Sequence, residues 1–443
     1  MSGVLTDNSA KSSGLVKAAS GGAGVNWVES IQTSNFTAEG GKGYFVNTSG
    51  GAITVTLPAS PDAGTLLSIK DYAGTFGSNN LTIARNGSKI QGRTTNAKLS
   101  TNRASVTLLF VDSDEGFVFL NESNVADLEA ASFVAATGGT ITTCGDCKIH
   151  TFTSSGTFEV TNAGNSKGSN SVNYLVVAAG GGGGANAGGG GGAGGFRTNF
   201  PQPATGGLPV SAQEYPISVG GGGVDGGNNP GDPIGTNGGN SVFSSITSAG
   251  GGFGGSPVHT FCGTRNGDGN TGGSGGGGGS GPGSPVPNSG GAGNTPPVSP
   301  SQGNNGGNGS GGPNCGSASG GGGGAGANGA NGVTPGSAPS SNMQGCGGAG
   351  SPNQINGSNV TYAGGGGGQR AYTPGAGIQV PVGGSGGAGG GGNGGGQGAG
   401  PSVNNPADNA TANTGGGGGG GQGNAAGGNG GSGIVIIRYK YQA

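Results

Sequence analysis

The chain has 443 residues, of which 120 are glycine and only 8% are charged, and its net charge is −2. Sparse charge argues against a disordered tail and against a nucleic-acid binder, which needs a basic patch to neutralise phosphates. No apolar run approaches the roughly 18 residues of a membrane span, and the first residues lack a signal-peptide pattern. We therefore expect no nucleic-acid partner, no membrane insertion and no export through a signal peptide. Five cysteines are too few for a disulfide scaffold and favour synthesis in a reducing compartment.

Residues 1–34 form the first predicted region. This stretch is rich in Ser, Gly and Ala, and it carries a few apolar residues that could anchor an extended peptide in a partner's groove. These attachment candidates are Val4, Leu5, Leu15, Val16 and Trp27. The alternative is a flexible terminus without a partner.

Residues 35–122 are predicted to form a small all-β module. Apolar and polar residues alternate from Ile53 to Leu57, and similar strands are predicted at 66–70, 81–84, 105–111 and 117–120. Residues 117–120 are apolar on both faces of their strand. A strand buried on both faces in so small a domain predicts contact with another subunit.

The motifs of this module resemble those of a β-module in fibre proteins of tailed phages. The resemblance rests on residues 43–48, 52–58, 67–71, 79–83 and 106–117, and it covers about 40–122. It implies a homotrimer of this module in a virion fibre. Residues 123–147 then read as a linker, with a short helix at 124–131 or a plain connection as alternatives.

Residues 148–443 are predicted to be a glycine-rich domain in which short strands lead into glycine tracts. Residues 149–153 and 156–160 read as a β-hairpin, residues 174–178 enter the first tract, and residues 434–437 read as the last strand. The two ends of this region resemble the glycine-rich domain of phage tail-fibre and adhesin proteins. The predicted fold class is therefore all-β, with a trimeric module followed by a β-framework bearing packed polyglycine type II helices.

Glycine suits such tracts for a steric reason. The left-handed extended helix has three residues per turn, rises about 3.1 Å per residue and makes no internal hydrogen bonds. Every N–H and C=O needs a partner in a neighbouring segment, and a Cβ would hold the backbones apart. A strict Gly-x-y repeat is absent over long stretches, so collagen does not fit. The resemblance implies a sandwich of such helices.

Three inserts interrupt the glycine-rich domain with aromatic and cationic side chains, the types enriched at binding hot spots. If they form turns at the ends of the helices, they could bind a receptor; alternatively, they only pack the edges of the sandwich. The receptor-binding candidates are Phe196, Arg197, Phe200, His259, Phe261, Arg265, Arg370 and Tyr372.

Motifs for catalysis or metal binding are weak. Cys144, Cys147 and His150 have a zinc-like spacing without an obvious fourth ligand, which leaves zinc, a disulfide or inert thiols as alternatives. Residues 266–270 are similar to calcium loops but lack the bidentate Glu. Acidic residues after position 180 are isolated, so no carboxylate pair for a hydrolase is expected. We predict no enzyme, no cofactor and no bound metal.

These observations predict a phage tail-fibre or adhesin protein that binds the host bacterial surface, either a glycan or an outer-membrane protein, without catalysis. It would be assembled in the host cytoplasm and carried on the virion, attached to head or tail proteins through its N-terminus. A purely structural head or tail fibre or decoration protein is the main alternative. A glycine-rich wall or matrix protein is a third, but the fibre-like module at 40–122 speaks against it.

Overall fold

The structure is a computed structural model that describes residues 24–120, 131–201, 207–227, 234–256, 267–280, 287–310, 318–333, 345–370, 383–397, 404–423 and 425–442. Every regular element in these ranges is a β-strand, so the all-β prediction is confirmed. Among these residues there is no helix long and apolar enough to cross a membrane. The chain divides into two compact units, Met1–Ala130 and Ala131–Ala443.

The first unit is built from nine strands in two sheets. Their bounds are β1 Asn26–Trp27, β2 Phe36–Thr37, β3 Lys42–Val46, β4 Ile53–Thr56, β5 Leu66–Asp71, β6 Leu81–Ala84, β7 Ala97–Leu99, β8 Ser105–Asp112 and β9 Gly116–Phe119. One sheet has the order β1-β3-β5-β8-β9 and the other β2-β4-β6-β7. Up to β6 the chain alternates between the two sheets, so β1, β3 and β5 pair in parallel in one sheet and β2, β4 and β6 pair in parallel in the other. Strand β7 then pairs antiparallel with β6, and β8 and β9 extend the first sheet by antiparallel pairing.

The core of the first unit lies between these sheets. Alternate residues of each strand point inward, and Val55, Leu67, Ile69, Ile83 and Phe117 are fully buried. Asp71 is buried too, and its carboxylate accepts the N–H groups of Gly74 and Arg103 at 2.9 and 2.8 Å. A buried charge is tolerated only when it is hydrogen-bonded in this way.

The opposite face of the five-stranded sheet also carries apolar side chains. Leu66, Leu109 and Val118 lie side by side across β5, β8 and β9, and all three remain partly exposed. Further along the same face, in the register of Ser68 and Lys70, the rings of Trp27 and Phe45 stack with centroids 4.6 Å apart. These five apolar residues define the outer face of the first unit.

Two predicted boundaries differ from the structure. Trp27, assigned to an attachment peptide, lies in β1 and pairs with β3, so the β-module begins before residue 35. The segment 123–147, assigned to a linker, contributes two strands to the second unit, because Val134 and Ala136 are buried in its core. Val4, Leu5, Leu15, Val16 and most of the proposed helix at 124–131 lie outside the described residues.

The second unit has a framework of two sheets and a satellite hairpin. The sheet β10-β13-β17-β18-β19 comprises Val134–Thr137, Gly156–Ala163, Glu214–Ser218, Ser241–Phe243 and Ile246–Ser248. The sheet β11-β12-β24-β14-β15 comprises Thr140–Cys144, Cys147–Phe152, Ile434–Lys440, Ser171–Val177 and Phe196–Thr198, with β16 Leu208–Pro209 paired to β14. The hairpin is β20 Ser351–Asn353 with β21 Val360–Tyr362, and β22 Gly396–Gln397 pairs with β23 Asn404–Asn405.

Strand β24 is the centre of this framework. Val435 and Ile437 face a core shared by the two sheets, whereas Ile434 and Ile436 face a second core that includes Ile355 and Tyr362 of the satellite hairpin region. Burial on both faces explains why the sequence Ile434-Val435-Ile436-Ile437 is continuously apolar.

The predicted hairpin of residues 149–153 and 156–160 is wrong in its pairing. Strand β12 pairs with β11 and β24, whereas β13 pairs with β10 and β17 in the other sheet. Phe152 and Phe158 both point into the core between the sheets. The chain therefore passes from one sheet to the facing sheet between β12 and β13. Each strand still buries one face in the shared core, so the alternating sequence pattern is the one that a hairpin would show.

Between the strands, glycine tracts run as extended segments that bond to several neighbours. From Ala178 to Gly183 the successive N–H groups donate to residues 195, 239, 431, 192, 236 and 428. The partners thus return to the same three segments after every third residue. Three other segments donate to the carbonyls of this tract, for example Gly223, Gly251 and Gly418.

The close packing of the glycine tracts leaves no room for a side chain at many of their positions. A Cβ placed on Gly180, Gly183 or Gly418 would lie 1.9 Å from a carbonyl oxygen of a neighbouring segment. Real Cβ atoms do not approach so closely, so a side chain there must separate the backbones. At the exposed edge, by contrast, a Cβ on Gly221 would meet nothing within 4 Å.

Candidate functional site

The tracts rise from the framework, turn and return, so each has a framework end and a far end. The first tract leaves β14 after Val177, turns at Ala185–Ala187 and comes back to β15 at Phe196. N–H to O bonds from Ala178 to Gly195, Gly181 to Gly192 and Gly184 to Gly189 join the two arms. Seven extended residues at about 3.1 Å each separate the two ends by roughly 20 Å.

The insert at Phe196–Phe200 lies at the framework end. Phe196 and Phe200 pack against the core that contains Ile149 and Tyr362, and the guanidinium of Arg438 lies 5.2 Å from the Phe200 ring centroid. Arg197 is partly exposed, and its Nη1 donates to the carbonyl of Thr247 at 3.3 Å. These side chains therefore serve mainly to join the tract to the strands.

The far end is closed by buried polar side chains that sequence reasoning missed. Ser256 Oγ donates to the carbonyl of Ala185 at 2.6 Å, and Ser319 Oγ donates to that of Ala187 at 2.7 Å. Ser280 and Ser319 share a hydroxyl bond of 3.0 Å, and Gln369 Nε2 donates to Ser280 Oγ at 2.9 Å. We call Ser256, Ser280, Ser319 and Gln369 the polar cap.

The polar cap has a sequence signal. Each of its members directly adjoins a glycine run, as in Gly255-Ser256, Gly279-Ser280, Ser319-Gly320 and Gly368-Gln369. Such residues satisfy backbone carbonyls at the turn, where the neighbouring glycine segments end. The same residue types also border tracts near the framework, as in Gln302-Gly303 and Gly431-Ser432, so the border signal identifies the end of a tract only together with the chain direction.

Arg370, the only described receptor candidate outside residues 196–200, follows the polar cap directly. Its N–H donates to the carbonyl of Gly395 at 3.2 Å, and it forms bridges with Ala318 and Gly396. Burial lowers the pKa of its guanidinium, although an arginine stays charged in any ordinary solution. Arg370 is thus at the opposite end of the lattice from Phe196 and Phe200, and the structure does not bring these candidates together.

His259, Phe261, Arg265 and Tyr372 lie outside the described residues. The described chain stops at Ser256 before the first three and at Arg370 before Tyr372. Both stopping points are at the far end, within or next to the polar cap. The structure thus fixes the end of the lattice from which these candidate segments start.

Asparagines complete the lattice on its outer surface. Gly290 and Gly293 donate their N–H groups to the Oδ1 atoms of Asn308 and Asn305, both at 2.9 Å. The N–H groups of Asn305 and Asn308 donate in turn to Asn328 and Asn331 at 3.1 and 2.7 Å. Asn305 and Asn308 are three residues apart, as are Asn328 and Asn331, so both members of each pair lie on the same side of a segment with three residues per turn. Asparagines spaced by three in the sequence therefore indicate such a segment.

The zinc interpretation of Cys144, Cys147 and His150 finds no support in the geometry. His150 is buried, its Nδ1 lies 2.7 Å from the carbonyl of Gly138, and its Nε2 lies 3.0 Å from the Tyr439 hydroxyl. Both ring nitrogens are therefore engaged. No group of three or more His, Cys, Asp or Glu residues that could hold a metal occurs in the described part of the chain.

Two acids in the described tracts, Asp268 and Asp408, also have carboxylate partners within the lattice. Asp268 Oδ1 accepts the N–H of Ser289 at 2.6 Å, and Asp408 Oδ2 accepts a bond from Asn393 Nδ2 at 2.8 Å. They lie on different segments and extend the side-chain bonding that the asparagines provide. In these positions the carboxylates act as hydrogen-bond acceptors for the lattice surface.

Comparison with protein families defines the class of the second unit. The model of the glycine-rich domain family matches residues 153–440, which is more than half of the chain. The protein therefore belongs to the glycine-rich domain family. No curated protein matches the chain.

Proposed function

We propose that this protein is a fibre or adhesin component of a tailed-phage virion that binds the host bacterial surface without catalysis. The observation that carries the proposal is the division of the second unit into two ends. The strands and the insert at Phe196–Phe200 anchor one end, and the candidate segments that contain Phe261, Arg265 and Tyr372 start from the other. A stiff spacer with segments rich in aromatic and cationic residues at its far end suits recognition at a distance from the particle.

We interpret the tracts as polyglycine type II helices packed side by side. Support comes from the return of the N–H donors to the same neighbours after every third residue, which a helix of three residues per turn requires. It also comes from the 1.9 Å clashes that a Cβ would create. The helices would give the spacer stiffness without a large apolar core.

The first unit is proposed to assemble three copies. Its outer face carries Leu66, Leu109 and Val118 in one row, and the Trp27–Phe45 stack lies further along the same face. Apolar surface of this kind is typical of an interface between chains. The N-terminal residues, with Val4, Leu5, Leu15 and Val16, are proposed to contact a head or tail protein of the virion.

A purely structural fibre or decoration protein is the second candidate. The packing of Phe196 and Phe200 into the framework favours it, because one of the three inserts is used for stability rather than presented for binding. Both candidates place the protein on the virion, whereas a wall or matrix protein would be on the cell.

The test is immunogold labelling of purified virions with antibodies against the glycine-rich domain. Label on fibres that project from the tail supports a tail-fibre protein, and loss of adsorption on mutation of the far-end candidates then separates an adhesin from a structural tail fibre. Label spread over the head supports the structural alternative. Absence of label on intact particles, with label on cell envelopes, would contradict both virion proposals.

A further inference from the structure

Two cysteines face each other at the closed end of the hairpin formed by β11 and β12. Cys144 and Cys147 are direct partners in the antiparallel register, and only Gly145 and Asp146 separate them. Gly145 has φ +57, which suits the first central position of a type II′ turn. Both thiols are free, and both side chains are half-buried.

The register brings the two side chains within bonding reach. Residues directly opposite in an antiparallel pair project from the same face, with Cα atoms about 4.5–5.5 Å apart. Disulfides span Cα separations of about 4.4–6.8 Å. Cys144 packs against the core that contains Ile149, and Cys147 projects to the same side of β12 as Ile149, two residues on. Both sulfurs therefore lie on the face that this core covers.

We propose that Cys144 and Cys147 form an intramolecular disulfide when the protein meets a low-molecular-weight disulfide such as oxidised glutathione. The thiolate of one cysteine attacks the small disulfide, which forms a mixed disulfide and releases one small thiol. The thiolate of the other cysteine then attacks the mixed disulfide, forms the Cys144–Cys147 bond and releases the second small thiol. The protein loses two electrons and two protons, and the small disulfide gains them.

The bond would secure an exposed edge strand of the framework. Strand β11 is at the edge of its sheet, where β12 is its one partner among the described strands, and four of its five residues are exposed. Its backbone bonds therefore hold it with little help from side-chain burial. An exposed edge can fray or accept a foreign strand. A covalent bond at the turn holds β11 to β12, which is paired in turn with the central strand β24.

The chemistry around the pair favours this bond over the alternatives. Zinc would need His150, whose two ring nitrogens are engaged by Gly138 and Tyr439. A disulfide between subunits would have to compete with the Cys144–Cys147 disulfide, because the strand register already places these two cysteines opposite each other. The thiols stay reduced in a reducing compartment, so oxidation follows exposure to an oxidising medium.

The experiment uses the full wild-type protein, reduced or treated with oxidised glutathione, then alkylated and digested with trypsin. The peptide 104–148 contains both cysteines and no other, so its mass reports their state. We expect this peptide without alkyl groups and lighter by two hydrogens after oxidation, and doubly alkylated after reduction. Double alkylation after oxidation, or a peptide linked to a second copy, would overturn the proposal.

The melting temperature tests the role of the bond. We expect the oxidised wild type to melt a few degrees above the reduced protein, since the bond constrains the unfolded chain. The variant Cys147→Ser is the matched control, and its melting temperature should not respond to the oxidant. If wild type and Cys147→Ser respond alike, the securing role of the Cys144–Cys147 bond is refuted.

Discussion

His150 and Tyr439 are hydrogen-bonded in the core of the second unit, with 3.0 Å between His150 Nε2 and the Tyr439 hydroxyl oxygen. Because His150 Nδ1 faces the carbonyl of Gly138, it must carry the proton, so Nε2 accepts from the Tyr439 hydroxyl. The same hydroxyl oxygen accepts the N–H of Ala136 at 3.1 Å. This chain of bonds needs a neutral imidazole and joins β10, β12 and the C-terminal strand.

Stability should therefore fall in mild acid. Burial lowers the pKa of His150 below its ordinary value of 6.5, and the charge of Lys148 adds to the effect, although the Gly138 carbonyl opposes it. As the pH falls, the unfolded chain therefore binds the proton before the folded protein does. The contribution of neutral His150 to stability is fully present above about pH 6.5 and is lost as the pH falls through the lower folded pKa. Chemical denaturation across this range should show the loss.

The variant His150→Gln removes the titrating group, and His259→Gln is its matched control because these are the two histidines of the chain. We expect the pH dependence between about 6.5 and 5 to shrink in His150→Gln and to persist in His259→Gln. Equal pH dependence of wild type and His150→Gln would show that another group controls the acid response.

Gly418→Val should destabilise the glycine lattice strongly. A Cβ at Gly418 would lie 1.9 Å from the carbonyl oxygen of Gly428, so the side chain must push two segments apart. Each N–H or C=O left without a partner costs about 1–3 kcal/mol. Gly221→Val is the control, since nothing lies within 4 Å of a Cβ there, and we expect a change within about 0.5 kcal/mol. Equal melting temperatures of the two variants would contradict the packed lattice.

The polar cap should be needed for stability. Ser319→Ala removes the donor to the Ala187 carbonyl and the partner of Ser280 Oγ in a fully buried position. We expect a loss of about 1–3 kcal/mol in the free energy of unfolding, measured by denaturant titration. Ser218→Ala, at an exposed position of β17, is the control and should change little. A Ser319→Ala protein as stable as this control would refute the role of the cap.

The outer face of the first unit should hold the trimer together. Leu109→Lys places a charge in the apolar row between Leu66 and Val118, and burial of an unpaired charge is costly. Light scattering should give three copies for the wild type and one for Leu109→Lys. Thr54→Lys, a partly exposed position of β4 in the other sheet, is the control and should remain trimeric. A monomeric wild type would refute the proposal.

Strands with a strong period of two were predictable from sequence. The stretch Ile53–Thr56 and the strands at 81–84 and 105–111 are found at or close to their predicted bounds because one buried face dictates the alternation. Pairing was harder to predict. The alternation in residues 149–153 and 156–160 fits a hairpin and also fits two facing sheets, and only the shared core of Phe152 and Phe158 distinguishes them.

The candidate site was predictable in part. Aromatic and cationic inserts stand out against glycine, but composition does not tell whether an insert packs inward, as Phe200 does beneath Arg438, or lies at the far end, as Arg370 does. The ends become recognisable only when the chain direction of each tract is known. Ser256 and Ser319 satisfy carbonyls at the turn, but Gln302 and Ser432 occupy similar tract borders at the framework end, so a border residue does not identify the end by itself.

Adsorption of virions to host cells tests the central claim most directly. The variant carries Phe261→Ala, Arg265→Ala, Arg370→Ala and Tyr372→Ala, which remove the aromatic and Arg anchors that dominate a typical interface. The control carries Arg197→Ala at the framework end. The account predicts that the fourfold variant loses adsorption, whereas its assembly and melting temperature match those of the wild type, and that the control adsorbs normally. Normal adsorption by correctly assembled particles of the fourfold variant would contradict recognition at the far end and favour the structural-fibre alternative.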